Sequence, residues 1–526
     1  MPHFYVQTFG CQMNAHDSER MEEVLMGSGY QPTTGAAQSD VVVLNTCSIR
    51  EKAEQKLRSE VGRLGRLKKK RPELVIAVAG CVAQQEGQRL LKSLPQIDLI
   101  IGPDNIPELP DLLAQLQTGG LPQVRTVFDV EDPAFLAAAP QLGRVGTCAY
   151  VTVMKGCNER CSYCIVPTTR GPERYRSSRE IVDECQRLVA AGVREITLLG
   201  QTVNSYIDPS GSLEKAPCSG ENRWQHTRGA RAHQDETEFP ALLRALAERV
   251  PGLLRLRYTS PHPRHLTSSL IEAHRDLSVL ALHVHMPVQS GSDAQLRRMI
   301  RRYSAAEYIE RTDALRDAVP GLTLSSDVIV GFCGETEKDF ECTLDLVERV
   351  GFVALYGFIY SQRPGTPALR LQDDVPPARK SERLHRLFEL VDRQKSAHLS
   401  SLVGTRQQVL VDGYGKTGDL SGRTLRNEIV HLPQLSLADG GSQSTIAGST
   451  AADLALPEEQ AEGLSPGALV EVDIREAFRN SLSGSVTNIL SAAPQTTAAS
   501  PPTSWQASPA PSPTQGRSPR RLPMLS

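Results

Sequence analysis

The 526-residue sequence predicts an α/β protein: an N-terminal doubly wound parallel sheet, a central partial (β/α)6 barrel, a C-terminal small all-β barrel and a disordered tail. Three observations predict it. Residues 3–118 alternate short apolar runs with helical patterns, and residues 143–395 carry a second such series of six βα units. From about residue 400 the pattern changes to short strands separated by turn residues.

In the first part, strands are expected at residues 3–8, 41–45, 74–79 and 99–101, and helices at 17–27, 49–70 and 84–93. The strands are continuous apolar runs rather than alternating ones, which is how strands buried on both faces of a parallel sheet read. Residues 119–142 carry Pro and Gly with little periodicity and read as a linker. In the second part, strands are expected at 149–154, 195–199, 253–258, 281–285, 322–330 and 353–360. Helical patterns at 178–191, 239–249, 293–300 and 337–350 separate them. Working loops of such a barrel lie at the carboxyl ends of its strands. Residues 209–238 form a polar, Gly-rich insertion. In the third part, 398–490, strands are expected at 407–411, 426–431, 469–474 and 484–489, interrupted by a Gly-, Ser-, Ala- and Glu-rich stretch at 435–465. Residues 491–526, dominated by Pro, Ser, Ala and Thr, cannot bury a core and are expected to be disordered.

Composition narrows the function classes. A formal net charge of −2 gives no bulk positive field, so any RNA contact must come from local basic patches. The longest apolar runs, such as residues 74–79, are far too short to span a bilayer. The N-terminus enters a strand pattern at once and resembles neither a secretory signal nor a transit peptide. Eleven cysteines, an odd number spread over a large chain, fit a reducing compartment and metal ligation better than disulfides. A cytoplasmic location is expected.

The most informative motif is Lys155-Gly156-Cys157-Asn158-Glu159-Arg160-Cys161-Ser162-Tyr163-Cys164, a C-x3-C-x2-C triplet with no fourth cysteine or histidine nearby. Structural zinc wants a closed set of four ligands, and cubane clusters usually take four cysteines. Three suggest a 4Fe–4S cluster with one iron left open for a small molecule, and therefore chemistry at the cluster. The alternative is a zinc knuckle or chance clustering. The triplet follows the first barrel strand, so the cluster belongs at the barrel mouth, with the Tyr163 ring beside the open iron.

A second constellation has no compact motif. Cys11, Cys47 and Cys81 each follow directly on a strand, through Phe9-Gly10, Asn45-Thr46 and Ala79-Gly80. Carboxyl ends of neighbouring parallel strands meet at one edge, where ligands bind. One buried cysteine is ordinary packing; three in the same structural position favour a second three-cysteine cluster. Cys148, Cys185, Cys218, Cys333 and Cys342 share no such placement and read as packing residues or bystanders.

The remaining barrel loops are polar at the expected ends. Gln201, Asn204, Gln289, Ser326 and Asp327 offer the donors and acceptors that a charged nucleoside cofactor needs, although each alone also fits ordinary turn chemistry. His262, His283 and His285 read as packing or hydrogen-bonding residues. The basic segments at 63–71 and at Arg297, Arg298, Arg301 and Arg302 read as solvated helix faces. Arg423, Arg426, Arg475 and Arg479 in the small β domain fit an RNA backbone better.

These residues bring the chain to a known family. It closely resembles the tRNA 2-methylthio-N(6)-dimethylallyladenosine synthases, methylthiotransferases of the radical S-adenosylmethionine superfamily. The resemblance covers nearly everything up to about residue 490, and its marks are Gln7 to Asn14, Asn45 to Lys52, Gly80-Cys81, Lys155 to Cys164, Val166 to Gly171, Leu199 to Tyr206 and Pro287 to Ser292. The third domain resembles the family's OB-like TRAM domain, through Ser421 to Thr424 and Asn480 to Gly484. Gln12-Met13-Asn14 and Ser48 to Lys52 favour this family over its sisters, which act on threonylcarbamoyl-adenosine in tRNA or on a ribosomal protein aspartate. The two insertions, the tail and the segment Gly331 to Gly334, less usual than a proline-containing version, are departures that remove no ligand.

The resemblance implies that Cys157, Cys161 and Cys164 hold a 4Fe–4S cluster whose open iron binds S-adenosylmethionine. Reductive cleavage then gives a 5′-deoxyadenosyl radical. It implies that Cys11, Cys47 and Cys81 hold an auxiliary 4Fe–4S cluster carrying the sulfur, which a second S-adenosylmethionine methylates, so that each turnover uses two. The product is the 2-methylthio derivative of N(6)-dimethylallyladenosine next to the anticodon on its 3′ side. Expected partners are the tRNA anticodon stem-loop, an electron donor and a sulfur or iron–sulfur delivery system, with no membrane, and the chain is expected to be a monomer. The reading from another class is a non-catalytic iron–sulfur RNA-binding protein, such as an electron carrier or redox sensor, and a zinc-binding RNA module is the third.

Overall fold

The computed structural model describes residues 1–48, 51–128, 137, 146–213, 237–415, 418–433 and 463–494. Cys218, most of the two insertions and residues 495–526 of the expected tail lie outside the described residues.

The N-terminal part runs β1 (His3–Phe9), α1 (Gln12–Gly27), β2 (Gln31–Pro32), β3 (Val41–Thr46), α2 (Glu51–Lys68), β4 (Val75–Ala79), α3 (Cys81–Glu86), α4 (Gln88–Ser93), β5 (Leu99–Ile101), α5 (Leu109–Gln117) and β6 (Gln123–Arg125). Its six strands form one parallel sheet in the order β2-β1-β3-β4-β5-β6. Successive strand side chains face opposite ways, and both faces are apolar. Val41, Val43 and Ala77 pack with Met21, Leu25, Leu109 and Leu113 on one side. Val42, Leu44, Ile76 and Val78 pack with Leu57, Val61 and Leu64 on the other. Each such fully buried side chain stabilises by about 1.5–3 kcal/mol, which is why these strands read as unbroken apolar runs. The sixth strand corrects the sequence reading: Gln123–Arg125 lies within the stretch read as a linker, yet it pairs with β5. Three residues carrying only one apolar side chain give no strand signal of their own. The chain leaves β1 in opposite directions to β2 and β3, so the carboxyl ends of β1 and β3 flank a topological switch point.

The central part contains β7 (Cys148–Thr152), β8 (Met154–Lys155), α6 (Val166–Arg170), β9 (Arg174–Tyr175), α7 (Ser178–Ala190), β10 (Glu195–Leu199), α8 (Phe239–Arg249), β11 (Arg255–Tyr258), α9 (Ser268–Asp276), β12 (His283–His285), α10 (Asp293–Arg298), α11 (Ala305–Ala318), β13 (Thr323–Val330), α12 (Glu337–Val350), β14 (Ala354–Ile359) and α13 (Pro377–Ser401). Two parallel three-stranded sheets, β11-β10-β7 and β12-β13-β14, are joined where Leu256 bridges Leu280. The result is an open six-stranded half-barrel. Leu256, Val284, Leu324 and Val328 face the helical layer. Thr197, Arg257, His285 and Asp327 alternate with them and line a polar interior. The expected first strand is split: after β7 the chain makes a second, antiparallel pair in which Met154 meets Tyr175 and Lys155 meets Arg174. That pair pins the base of the loop holding the cysteine triplet.

Helix α13 runs unbroken through residues 395–398, where the sequence changes character. It packs on β14, β13 and α12 of the half-barrel and on the strand Leu469–Ala477 of the next part. That last part is a closed five-stranded barrel, β15 (Arg406–Tyr414), β16 (Leu420–Thr424), β17 (Ile429–Leu432), β18 (Leu469–Ala477) and β19 (Leu482–Ser491), in the order β15-β16-β17-β19-β18. Strand β16 and the parallel β17–β19 closure go beyond the sequence reading. The turn after β16 seats the small barrel on the amino-terminal end of the half-barrel. Arg255 donates to the Arg423 and Thr424 carbonyls, both at 3.1 Å, Arg257 to the Thr424 carbonyl at 3.1 Å, and the Leu282 amide to the Leu425 carbonyl at 3.1 Å.

Candidate active site

The triplet loop is built to hold three cysteines at the half-barrel mouth. Gly156 has φ +80°, and a Cβ there would lie 1.9 Å from the Pro172 carbonyl oxygen, so only glycine lets the chain turn into Cys157. The Cys157 amide then donates to the Gly171 carbonyl at 3.2 Å and the Ser162 amide to the Met299 carbonyl at 3.0 Å. The Ser162 hydroxyl donates to the Arg298 carbonyl at 2.8 Å. Two of the thiols have polar partners suited to a thiolate. Thr202 Oγ1 lies 2.9 Å from Cys157 Sγ, and Arg301 Nη1 donates to Cys161 Sγ at 3.3 Å. Burial pushes the Cys157 thiol up to about 11, and burial with the neighbouring Cys161 pushes Cys164 up to about 12.

The predicted ligand-binding residues divide. Both amide atoms of Gln201 are buried and unpartnered, which suits a polar group brought by a cofactor. Asn204 is committed to the protein: its Nδ2 donates to the His262 carbonyl at 3.0 Å and its Oδ1 accepts the His262 amide at 2.7 Å, clamping two barrel loops. Ser326 is committed too, accepting the Val288 amide at 2.9 Å and donating to the Met286 carbonyl at 2.9 Å. Gln289 sits at φ +73° between the strands, its amide bonded to the Asp327 carbonyl at 2.8 Å. Asp327 faces the interior, 3.6 Å from His285 Nε2, and the His285 ring meets the ring of Tyr356 at 5.8 Å. Tyr163 packs edge-on against Phe332 at 6.4 Å.

The three strand-end cysteines do converge at the carboxyl edge of the N-terminal sheet. Cys11 caps α1, Cys47 follows β3, and Cys81 opens α3. Cys11 Sγ donates to Asn14 Oδ1 at 3.3 Å, Asn14 Nδ2 to Asn45 Oδ1 at 3.1 Å, and Asn45 Nδ2 to Ser18 Oγ at 2.9 Å. A hydrogen bond from Cys47 draws the Cys11 thiol down to about 6, against its burial. Gly80, at φ +90°, lets the strand pass Asn45 and the Thr46 carbonyl, where a Cβ would lie 2.3 and 2.7 Å from their oxygens. Among the described residues, no group of three or more His, Cys, Asp or Glu side chains is placed to hold a single metal ion. A cubane asks for something different, because its cysteines bind separate irons.

Short α6 lies between the two triads. It starts two residues after Cys164, packs on α3, and ends on Arg170, whose Nη1 and Nη2 donate to Asp17 Oδ1 at 3.3 Å and Oδ2 at 2.5 Å. A second buried set, Lys155 and Arg174 on Asp104, ties the same two domains together.

Sequence reasoning missed several of these residues. Arg301 was read as a solvated helix face but is buried, with Nε on Tyr303 at 2.9 Å and Nη2 on the Pro287 carbonyl at 3.0 Å. Thr202, Arg170 and Asp17 carry no spacing signal, although Thr202 and Arg170 fall inside the quoted motifs. Two of the four arginines expected at RNA have partners within the protein. Arg423 is bonded to Asp412 at 3.2 Å and Arg426 to Gln407 at 2.7 Å, both at the junction beneath the half-barrel. Arg475 is exposed, and Arg479 is exposed beside Asp392 at 2.9 Å.

A polar half-barrel with a three-cysteine loop at its mouth, abutting a parallel sheet with three more cysteines at its edge, is the architecture of a radical S-adenosylmethionine enzyme. Residues 3–102 match the family described as Uncharacterized protein family UPF0004, and residues 151–347 match the Radical SAM superfamily. The chain is 57% identical over 508 residues to the tRNA-2-methylthio-N(6)-dimethylallyladenosine synthase of Sorangium cellulosum (strain So ce56), covering 94% of this chain and 95% of that one. It is 45% identical over 435 residues to the synthase of the same name from Acidithiobacillus ferrooxidans (strain ATCC 53993 / BNL-5-31), covering 82% and 91%. Among solved structures it is similar to the radical S-adenosylmethionine methyltransferase TsrM from Kitasatospora setae, with TM-score 0.48, 12% identity and coverage of 75% and 89%. The chain belongs to the tRNA-2-methylthio-N(6)-dimethylallyladenosine synthase family.

Proposed function

We infer that this chain is a radical S-adenosylmethionine methylthiotransferase that converts N(6)-dimethylallyladenosine, 3′-adjacent to the tRNA anticodon, to its 2-methylthio derivative. The observation that carries the reading is the pairing of two three-cysteine sites across α6. Cys157, Cys161 and Cys164 are assigned to one 4Fe–4S cluster, and Cys11, Cys47 and Cys81 to the other. When bound, the clusters and S-adenosylmethionine supply one-electron radical chemistry, the methyl group and the transferred sulfur.

The protein's own residues bind, orient and exclude water. Thr202 and Arg301 hold the sulfurs of Cys157 and Cys161 in place, at 2.9 and 3.3 Å. Gln201 takes polar groups of S-adenosylmethionine with its two unpartnered amide atoms. The target base leaves the anticodon loop and enters the half-barrel, where Asp327, His285 and Tyr356 line the wall. The small barrel grips the RNA with exposed residues such as Arg475 and Arg479 rather than with Arg423 and Arg426. No helix among the described residues is long and apolar enough to cross a membrane. We place the enzyme in the cytoplasm as a monomer served by an electron donor and an iron–sulfur or sulfur supply. The test is anaerobic reconstitution with iron, sulfide, reductant and S-adenosylmethionine on two tRNAs, one bearing dimethylallyladenosine and one threonylcarbamoyl-adenosine. A methylthio product on the first alone is expected; product on the second alone reassigns the substrate.

A further inference from the structure

We propose that Arg170 is a positioning residue that sets the two cluster sites against each other and lends its positive charge to the Cys11–Cys47–Cys81 site; this rests on the assignment of a cluster to those cysteines. Arg170 ends the helix that follows directly on Cys164, and it is 2% exposed. Its two terminal nitrogens fork onto the Asp17 carboxylate, and Asp17 sits on α1, the helix that Cys11 caps. Its helix packs on α3, whose first residue is Cys81. Helix α6 and its last side chain therefore join the loop of the downstream triad to the elements presenting two of the three upstream cysteines. The guanidinium is near enough to Cys81 and Cys11 to act on both electrostatically.

Arginine is suited to this place for two separable reasons. Its planar fork fixes an orientation that a lysine ammonium cannot, and its charge is permanent. A buried cation beside a cluster's thiolates stabilises the reduced, more negative cluster and raises its potential, since net charge and hydrogen bonds to sulfur set that potential. Asp17 acts in the opposite sense. The nearby Asp104 set holds the domain interface independently, with Arg174 also donating to the Arg170 carbonyl at 2.8 Å, so loss of the Arg170 side chain leaves a second anchor.

The test is a redox titration of the reconstituted full-length protein followed by electron paramagnetic resonance, with iron and sulfide counted for each variant. Arg170→Gln is expected to lower the reduced-to-oxidised ratio of the upstream cluster at least tenfold at fixed potential, about 59 mV for one electron, and to leave the downstream cluster unchanged. Asp17→Asn is expected to shift the upstream cluster the other way. Arg170→Lys is expected to keep the wild-type potential but to form less methylthio product per 5′-deoxyadenosine. Upstream potentials equal to wild type in both Arg170→Gln and Asp17→Asn, or shifted in the same direction, would overturn the proposal. Should Arg170→Gln fail to load iron, the Asp17→Asn and Arg170→Lys results decide. Wild-type protein that loads one cluster and makes no methylthio product contradicts the functional reading itself, a result distinct from any variant's potential.

Discussion

The sulfur of Cys157 lies 2.9 Å from the hydroxyl of Thr202, so the first cysteine of the triplet is tied to the loop after β10 rather than to its own loop alone. The neighbouring residue, Gln201, holds a buried amide with no protein partner. Gln201 and Thr202 both belong to the loop at the carboxyl end of β10. Gln201→Ala is expected to raise KM for S-adenosylmethionine about tenfold, the size of one hydrogen bond to a charged group. Its melting temperature should stay near wild type, because the amide makes no bond within the protein. Steady-state kinetics and a thermal melt check both halves.

Gly156→Ala should abolish loading of the downstream cluster. The substitution adds a Cβ at φ +80° that meets backbone, not a yielding side chain, 1.9 Å away. The left-handed conformation alone costs about 1–3 kcal/mol in a non-glycine residue, and the clash adds to it. Iron analysis of the reconstituted variant should give about four irons rather than the eight of two cubanes. A full complement would show that the loop tolerates the change.

Much of this was legible in the chain. The parallel sheet was readable because β3 and β4 are apolar on both faces; the downstream cysteines stand out by their C-x3-C-x2-C spacing and the upstream ones by a repeated strand-end placement. Side-chain partnerships were not. Whether Asn204 faces a cofactor or clamps His262 depends on a loop 58 residues away. Arg301 looks like part of a solvated basic run until the fold turns it under Cys161. The short edge strand β6 and the β17–β19 pairing depend on neighbours distant in sequence and leave no local period. The Asp412 partner of Arg423 and the Gln407 partner of Arg426 likewise leave no mark in composition.

Stability should fall on mild acidification. His274 is buried, 2.6 Å from the Tyr258 hydroxyl, and burial draws its pKa down from 6.5 to about 4. A folded-state value below the unfolded one means that the native state prefers the neutral ring. Its contribution is fully present above pH 6.5 and is lost as pH falls toward 4, about 3 kcal/mol in all. Urea unfolding from pH 7 to 5 should show the decline, and His274→Gln should flatten it. An unchanged slope in that variant would move the effect to other groups, His283 first, whose pKa burial lowers to about 3.

The floor of the half-barrel makes a separate prediction. Arg255 is 1% exposed, pairs with Glu195 at 3.2 Å and donates to two carbonyls of the small barrel. Removing one partner of a buried pair costs about 3–5 kcal/mol. Arg255→Ala should therefore lower the unfolding free energy by that order and loosen the small barrel, raising hydrogen exchange at β16 and β17. Equal exchange in variant and wild type would separate the two barrels energetically.

Cys47→Ala separates the labour of the two triads. In the anaerobically reconstituted variant with dimethylallyladenosine tRNA, 5′-deoxyadenosine and methylthio product are measured in the same reaction. 5′-Deoxyadenosine should still form while methylthio product is absent. Methylthio product at the wild-type level would contradict the assignment of the upstream site.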